Sequence, residues 1–239
     1  MIPWIHLGTA AIPGAGELRL MRRGTEYSIM LGGNELMNSR LSGSEEALAT
    51  LAAERIGGRA APRLLIGGLG MGFTLRAALA AFDSRSSIVV AELVPGVVDW
   101  ARGEMAEIFA GSLGDERVSI VIEDVARVIA EEGVQALDGA RGGSTGAARS
   151  GFDAILLDVD NGPDGLTSGA NDRLYGVAGL AASLRALRPG GVLAIWSSGP
   201  DPAFATRFGR AGFAVEEIRV KAGRGRGARH VLWFGRKPG

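Results

Sequence analysis

The chain has 239 residues, 46% of them hydrophobic, and its 26 basic and 26 acidic side chains cancel to a formal net charge of zero. This length suits one large domain with a sizeable core. The balanced charge argues against nucleic acid or an anionic membrane as partner, so we expect a small-molecule ligand. The lack of cysteine excludes disulfides, thiolate metal sites and a cysteine nucleophile. Without a signal-peptide pattern or a run of roughly 18 apolar residues, the sequence predicts a cytoplasmic protein that does not enter a membrane.

Residues 1–43 predict a small antiparallel β meander. Its strand-like segments, separated by the turn signals Arg23-Gly24 and Gly32-Gly33, are 17–22, 26–31 and 34–37. Such a meander cannot bury both faces alone, so we expect it to pack on the rest of the chain, on a second copy, or on both. We therefore predict an oligomerisation segment at 1–43, a ligand-binding domain at 44–239, and a homodimer.

From Ser44 onward, helical and strand patterns alternate. Ser44 is a candidate helix cap, with Glu45 and Glu46 in the first turn. The predicted strands are 63–67, 87–92, 117–122, 152–158 and 191–197, followed by a hairpin formed by "FAVEEIRV" and "HVLWFGR". The predicted helices are 72–82, 95–109, 124–136, 172–187 and 201–211. This order predicts an α/β fold: a Rossmann-like, seven-stranded methyltransferase sheet with ligands at the carboxyl ends of its strands.

A glycine-rich turn follows the first strand of this series. Gly68, Gly70 and Gly72 form G-x-G-x-G, and Phe73 stands where a dinucleotide fingerprint would place its third glycine. This spacing disfavours a nicotinamide cofactor. The glycines could leave open space and free N–H donors for a ligand at a helix N-terminus, or could simply let the chain reverse.

Acidic residues end the next strands at the same predicted edge. Glu92 can accept the hydroxyls of a ribose, and Asp124 can accept an adenine amino group or only cap the following helix. Asp158 and Asp160 close the fourth strand in "AILLDVDNGPDG". Because such clustering after five apolar residues is hard to explain by packing, we predict a binding site there.

These segments together resemble the spermidine synthase (polyamine aminopropyltransferase) family, which has the class I S-adenosylmethionine-dependent methyltransferase fold. The resemblance rests on "GTEYSIMLGGNELMNSRLSGSEEALA", "LLIGGLGMG", "VVAELVPGVVDWAR", "VIEDVARVI", "FDAILLDVDNGPDGL" and "LRALRPGGVLAIWSS". It implies that the glycine turn lies against the donor, S-adenosylmethionine or its decarboxylated form. It further implies that Glu92 holds the ribose, Asp124 the adenine amino group, and Asp158 faces the attacking amine as the catalytic carboxylate.

The same resemblance assigns further residues to the site. Asn38 stands where a donor-binding glutamine is expected, and Tyr175 matches an aromatic residue of the helix after the acidic turn. Glu45, Asp160 and Asn161 are the corresponding candidates for binding the amine. We predict no metal, because His6 and His230 are isolated in the sequence.

Several departures from the family pattern leave the reaction open. Gly70 stands where the family usually has an aspartate that helps to hold the amino group of the decarboxylated donor. Three functions therefore remain: an aminopropyltransferase with an altered site, a methyltransferase of unknown acceptor, or a non-catalytic nucleoside-binding protein. The segment 138–151 is predicted to be a surface loop without an assigned role, and the basic segment 221–230 a solvated hairpin loop.

Overall fold

A computed structural model of the chain describes residues 2–142, 150–159, 174–223 and 227–239. Of residues 137–142 it describes the backbone alone. The strands are β1 (Ile5–Ile12), β2 (Ala15–Arg23), β3 (Glu26–Leu31), β4 (Asn34–Asn38), β5 (Arg63–Gly67), β6 (Ser87–Glu92), β7 (Val118–Ile122), β8 (Phe152–Leu157), β9 (Leu187–Ser197), β10 (Ala214–Lys221) and β11 (Arg229–Arg236). The α-helices are α1 (Gly43–Ile56), α2 (Phe73–Ala81), α3 (Pro95–Arg102), α4 (Ala106–Phe109), α5 (Val125–Gly142), α6 (Val177–Ala186) and α7 (Pro202–Arg210).

The strands form two sheets. The first is an antiparallel meander in the order β1-β2-β3-β4, and the second has seven strands in the order β10-β11-β9-β8-β5-β6-β7. In the second sheet only β11 runs antiparallel to its neighbours, β9 and β10. The predicted seven-stranded sheet with a terminal hairpin is therefore present.

Successive side chains of the central strands point to opposite faces of the large sheet, so the core has two parts, one on each face. On β5, Leu64 and Ile66 enter one apolar cluster, and Leu65 enters the other. The first cluster also contains Leu20 and Ile29, so the meander shares a continuous core with the large sheet. The meander thus packs on the rest of the chain, while the domain boundary at residue 43 stays a prediction.

The meander has one strand more than the sequence predicted. β1 was missed because most of its side chains are exposed or half-buried, which leaves no clear apolar alternation over Ile5–Ile12. The register to β2 includes two irregularities, which further blur the two-residue period.

Several predicted helix boundaries were wrong. The single helix predicted at 95–109 is two helices, because Gly103 leaves the helical region at φ −106° and ψ −104°. α5 continues to Gly142, beyond the predicted end at 136 and into the predicted loop; residues 143–149 of that loop lie outside the described residues. Helix α6 spans Val177–Ala186 of the predicted 172–187, and β9 begins at Leu187 rather than 191.

The expected cap of α1 was also wrong. The helix begins at Gly43, so Ser44 lies inside its first turn rather than before it. The Ser44 hydroxyl is directed to the side chains of Glu45 and His230 instead.

Candidate functional site

The site forms where the strand order reverses. From β5 the chain moves outward to β6 and β7 on one side and to β8 and β9 on the other, so the ends of β5 and β8 face a crevice. The Asp158 N–H donates to the Gly67 carbonyl at 3.0 Å, and the Gly68 N–H donates to the Ala91 carbonyl at 2.9 Å. These bonds hold the glycine turn and the acidic turn side by side.

Two glycines of this turn, Gly68 and Gly72, are required because neighbouring atoms leave no space for a side chain. A Cβ on Gly68 would lie 2.5 Å from the Asp158 carbonyl oxygen, and one on Gly72 would collide with the Phe109 ring. Both residues also have positive φ, at +88° and +75°. Close packing and backbone conformation therefore account for these two glycines without a ligand.

Gly70 differs because it faces a flexible side chain. Its φ is +51°, and a Cβ there would lie 3.1 Å from the Met37 sulfur of β4. The space that a side chain at position 70 would use is thus bounded by a thioether from the meander.

A first cavity of about 200 Å³ opens beside this turn. Its walls come from the meander, the glycine turn and the ends of β6, β7 and β8. Its lining residues include Leu36, Met37, Gly68, Gly70, Glu92, Asp124 and Asp158. Three of the predicted acids thus line the cavity.

Glu92 is the most buried of these acids, with 7% of its surface exposed. Its two carboxylate oxygens accept N–H groups from Leu69 at 2.8 Å and Val94 at 2.9 Å, so it ties the glycine turn to the end of β6. Burial raises the pKa of Glu92, and bonds from backbone N–H groups oppose that rise. A carboxylate has about four acceptor positions, so capacity remains for hydroxyl donors.

Asp124 caps a helix and also lines the first cavity, and its contact with an adenine amino group stays a prediction. Its Oδ1 accepts the Ala126 N–H at 2.8 Å at the start of α5, which is the capping bond expected of this position. It also lines the first cavity. Capping therefore leaves the second carboxylate oxygen of Asp124 for another donor.

A second cavity, of about 240 Å³, adjoins the first. The two share Leu36, Met37, Gly70 and Asp158 as lining residues. Alone each is smaller than the roughly 300–1,000 Å³ typical of ligand sites, but together they reach that range. The shared lining makes them two compartments of one site.

Of the residues that the structure describes, two carboxylates line the second cavity, Asp158 and Glu45. Burial raises the pKa of Asp158 to about 6, against a 2.6 Å hydrogen bond from the Thr74 hydroxyl, which lowers it. Burial, together with repulsion from Asp158, raises the pKa of Glu45 to about 7. Such a pair titrates jointly and can hold or release a proton near neutral pH.

His230 and Trp196 complete the wall of this cavity. Their rings meet edge to face with centroids 4.7 Å apart. Burial lowers the pKa of His230, so its imidazole is neutral near pH 7. The Trp196 indole N–H is buried and has no hydrogen-bond partner within the described ranges.

Asn38 and Tyr175, two further residues of the predicted site, do not line the first cavity. Asn38 lines the second cavity rather than the first, and its side chain bonds to Glu35 and to the Arg40 N–H. Tyr175 is 1% exposed and packs against Phe204 in the core, away from the lining described for either cavity, so its substrate role stays a prediction.

Asp160 and Asn161 lie outside the described residues. Their predicted contact with the amine therefore stays a prediction.

Sequence reasoning overlooked several lining residues. Met37 and His230 line the second cavity but carry no motif, and His230 was interpreted as isolated although its ring lies 2.9 Å from Ser44. Thr74 is not among the lining residues, but it donates a hydrogen bond to Asp158 and was also overlooked.

Simple alternation along β4 could not have predicted Met37, because the register between β3 and β4 is irregular there. Met37 pairs with Ile29, and Glu35 pairs with the adjacent Met30.

Within the described ranges, no group of three or more side chains of the kind that bind metals comes together. No helix in those ranges combines the length and apolar character needed to cross a membrane.

Comparisons with known proteins agree with this architecture. No family model matches the sequence. Over 155 residues the chain is 34% identical to polyamine aminopropyltransferases of Mycobacterium tuberculosis (strains CDC 1551 / Oshkosh and ATCC 25618 / H37Rv) and Mycobacterium bovis (strain ATCC BAA-935 / AF2122/97). The match covers 62% of this chain and 24% of each relative, so the chain spans about a quarter of the length of the curated relatives it matches.

Solved structures extend the likeness to nearly the whole chain. A spermidine synthase in complex with the transition state analogue AdoDATO and the spermidine synthase from Thermotoga maritima each align with a TM-score of 0.71. Each alignment covers 97% of this chain and 72% of the other, at 16% and 17% identity. The predicted fold class and the predicted family resemblance are confirmed.

Proposed function

We propose that this spermidine-synthase-like chain transfers an aminopropyl group from an adenosyl sulfonium donor to an amine. Its curated relatives are named polyamine aminopropyltransferases, and one structural neighbour holds a transition state analogue, AdoDATO. The observation that carries the proposal is that Asp158 and Gly70 line both cavities. A donor in the first cavity and an acceptor in the second would meet at these two residues.

The first cavity suits the nucleoside part of the donor, which would be decarboxylated S-adenosylmethionine or S-adenosylmethionine. Glu92 would accept ribose hydroxyls, and Asp124 would accept an adenine amino group. Both carboxylates are held by backbone N–H bonds, so they are oriented before a ligand arrives.

The reaction requires an amine with a free lone pair. The donor, when bound, supplies a carbon activated by its sulfonium sulfur. The acceptor nitrogen forms a new bond to this carbon while the carbon–sulfur bond breaks and its electron pair stays on sulfur. Asp158, with Glu45 beside it, would take the proton that the nitrogen loses, because burial raises the pKa of both carboxyls toward neutrality.

Ligand binding and turnover test the proposal separately. Calorimetry with decarboxylated S-adenosylmethionine, S-adenosylmethionine and methylthioadenosine would measure donor binding, and mass spectrometry of reactions with a panel of mono-, di- and triamines would detect transfer. We expect binding of the decarboxylated donor and an amine product heavier by one aminopropyl group. Binding without any product would support a non-catalytic nucleoside-binding protein, and no binding would reject the whole proposal.

A second candidate, methyl transfer, is favoured by one observation. The position where related synthases place an aspartate is Gly70, and the space beside it is bounded by the Met37 thioether rather than by a carboxylate. Among the described residues, Gly70 itself supplies no acid there that would select a donor whose tail carries only a positive charge. Under this alternative the same mass spectrometry assay with S-adenosylmethionine would yield a methylated acceptor.

The homodimer also stays a prediction. Ile2 and Ile5 of the meander region are 62% and 49% exposed, which leaves apolar surface for a second copy to cover. Light scattering of the purified chain would determine its mass in solution.

A further inference from the structure

Three side chains from opposite ends of the chain form a continuous hydrogen-bonded row at the second cavity. The Ser44 hydroxyl lies 2.6 Å from Glu45 Oε2 and 2.9 Å from His230 Nδ1. Ser44 and Glu45 lie in the first turn of α1, and His230 lies in β11. The row connects two lining residues of the cavity, Glu45 and His230, through a residue behind the wall.

The middle residue of the row has no access to water. Ser44 is fully buried, with 0% of its surface exposed, whereas Glu45 and His230 are half-buried. A buried hydroxyl must satisfy its donor and its acceptor capacity within the protein. Glu45 and His230 are the partners within reach of the Ser44 oxygen.

The two hydrogen bonds of this row can run from donor to acceptor in either of two opposite directions. With Glu45 ionised, the Ser44 hydroxyl donates to Glu45 and accepts the Nδ1–H of a neutral His230. With Glu45 protonated, its carboxyl donates to Ser44, and the Ser44 hydroxyl donates to a bare Nδ1 of His230. The two arrangements differ in the Glu45 proton and in the direction of every bond in the row, so the protonation of Glu45 selects the tautomer of His230.

We propose that Ser44 and His230 conduct away the proton that Glu45 receives at the reacting centre. This inference rests on the proposed function, since that reaction supplies the proton. Glu45 passes its proton to the Ser44 oxygen as the Ser44 proton moves to His230 Nδ1, and the resulting imidazolium releases its Nε2 proton to water. The net step moves one proton from Glu45 to water. The row is reset when the His230 ring loses its Nδ1 proton to solvent and takes one at Nε2, and the Ser44 hydroxyl turns back toward the bare Nδ1. Ser44 and His230 act through Glu45 and are positioning residues.

The surroundings of His230 contain few other charges. Of the described residues that line the second cavity, the titratable ones besides His230 are Glu45 and Asp158. Trp196 packs on the ring, Val220 is its register partner on β10, and Arg229 precedes it on β11. Glu45 is therefore the acid whose charge state reaches the imidazole through a hydrogen bond.

Nitrogen NMR tests the row without requiring turnover. The chain contains two histidines, and exposed His6 serves as an internal reference in the same spectrum. We expect the His230 nitrogen shifts of the wild type to report a change from the Nε2–H to the Nδ1–H tautomer as pH rises from about 5.5 to 8.5, while Glu45 loses its proton. The change should disappear in Ser44→Ala and in Glu45→Gln, and persist in Ser44→Thr, which keeps the hydroxyl. A His230 tautomer that does not change with pH, or that changes equally in Ser44→Ala, would overturn the inference.

Kinetics then test whether the row serves the reaction. With any amine that the wild type uses, we expect Ser44→Ala and His230→Gln to lower kcat by roughly tenfold with little change in KM, less than the loss expected for a group that takes the proton directly. Added imidazole should restore part of the rate of His230→Ala, and His6→Gln is the matched control. Unchanged kcat in both variants would reject the route. A wild type that binds no donor would reject the proposed function, while the tautomer measurement would still decide whether the row exists.

Discussion

The Thr74 hydroxyl, in the first turn of α2, donates a 2.6 Å hydrogen bond to Asp158 Oδ2 at the end of β8. This bond joins the helix after the glycine turn to the carboxylate shared by both cavities. It also opposes the effect of burial, because it stabilises the charged form of Asp158.

Removing that bond should raise the pKa of Asp158 further. In Thr74→Val, burial would act without its main opposing interaction, so Asp158 would keep its proton to a higher pH than in the wild type. Carbon NMR of labelled aspartate carboxyls would measure the shift, and Thr74→Ser should keep the wild-type value. An unchanged pKa in Thr74→Val would show that the hydroxyl does not control Asp158.

Asp158→Asn should abolish transfer while leaving donor binding nearly intact. The amide keeps the volume of the side chain but takes no proton from the attacking amine, so we expect kcat to fall by about 10²–10⁴-fold. Calorimetry with the donor should give an affinity close to that of the wild type. Full activity of this variant would remove Asp158 from the mechanism.

The carboxyl pair should make the protein less stable as pH rises. The pKa values of Glu45 and Asp158 are raised in the folded state, to about 7 and about 6, so the folded chain holds more protons than the unfolded chain above about pH 4. Their contribution is therefore fully present below the unfolded pKa values and is lost as pH rises through 6 and 7.

The double variant Glu45→Gln with Asp158→Asn isolates this effect. Relative to the wild type, its free energy of unfolding should gain about 5 kcal/mol between pH 4 and pH 8. Urea denaturation at several pH values would measure the difference. Parallel pH dependences for the two proteins would contradict raised pKa values.

Asp153 should be the most sensitive acid at the opposite edge of the sheet. It is 3% exposed and accepts bonds from the guanidinium groups of Arg59 at 2.6 Å and Arg188 at 2.7 Å, and from the Arg63 N–H at 2.8 Å. We expect Asp153→Asn to lower the free energy of unfolding by about 2 kcal/mol or more, because it leaves two partly buried guanidinium groups without a countercharge.

A matched exposed pair provides the control for this prediction. Asp83 pairs with Arg85, whose side chain is 68% exposed, so Asp83→Asn should leave the free energy of unfolding nearly unchanged. Equal losses in both variants, measured by urea denaturation, would show that burial of the pair is not the deciding factor.

An acid at position 70 should shift donor preference toward the decarboxylated form. Gly70→Asp alone would face the Met37 sulfur, so the variant Gly70→Asp with Met37→Ala gives the new carboxylate room beside the site. We expect the ratio of affinities for decarboxylated over intact S-adenosylmethionine to rise by roughly tenfold in the double variant, because a carboxylate attracts an ammonium and repels a carboxylate. Met37→Ala alone is the control, and an unchanged ratio would place the donor tail elsewhere.

The central architecture could be predicted because it depends on local patterns. The strands at 63–67 and 87–92 are short apolar runs bounded by turns, and their carboxyl ends lie at one edge whatever the details of packing. This is why Glu92 and Asp158 could be assigned to one site from the sequence.

Other features depend on contacts between distant parts of the chain. Ser44 and His230 are 186 positions apart, and no periodicity relates them. Gly72 could be seen to be unusual, but only the fold reveals that Phe109 occupies the space of its missing side chain. Local pattern therefore predicts where the chain turns, and tertiary packing decides which side chains meet there.

The position of β11 has a consequence for how the site is assembled. β11 follows β9 and β10 in the chain but lies between them, inside the sheet rather than at its edge. During synthesis, β9 therefore keeps an unpaired edge, and β10 lacks its partner, until β11 has been made. Since His230 belongs to that strand, the second cavity gains its last wall in the same event that closes the sheet, and a nascent chain halted just before it would have the glycine turn but no finished site.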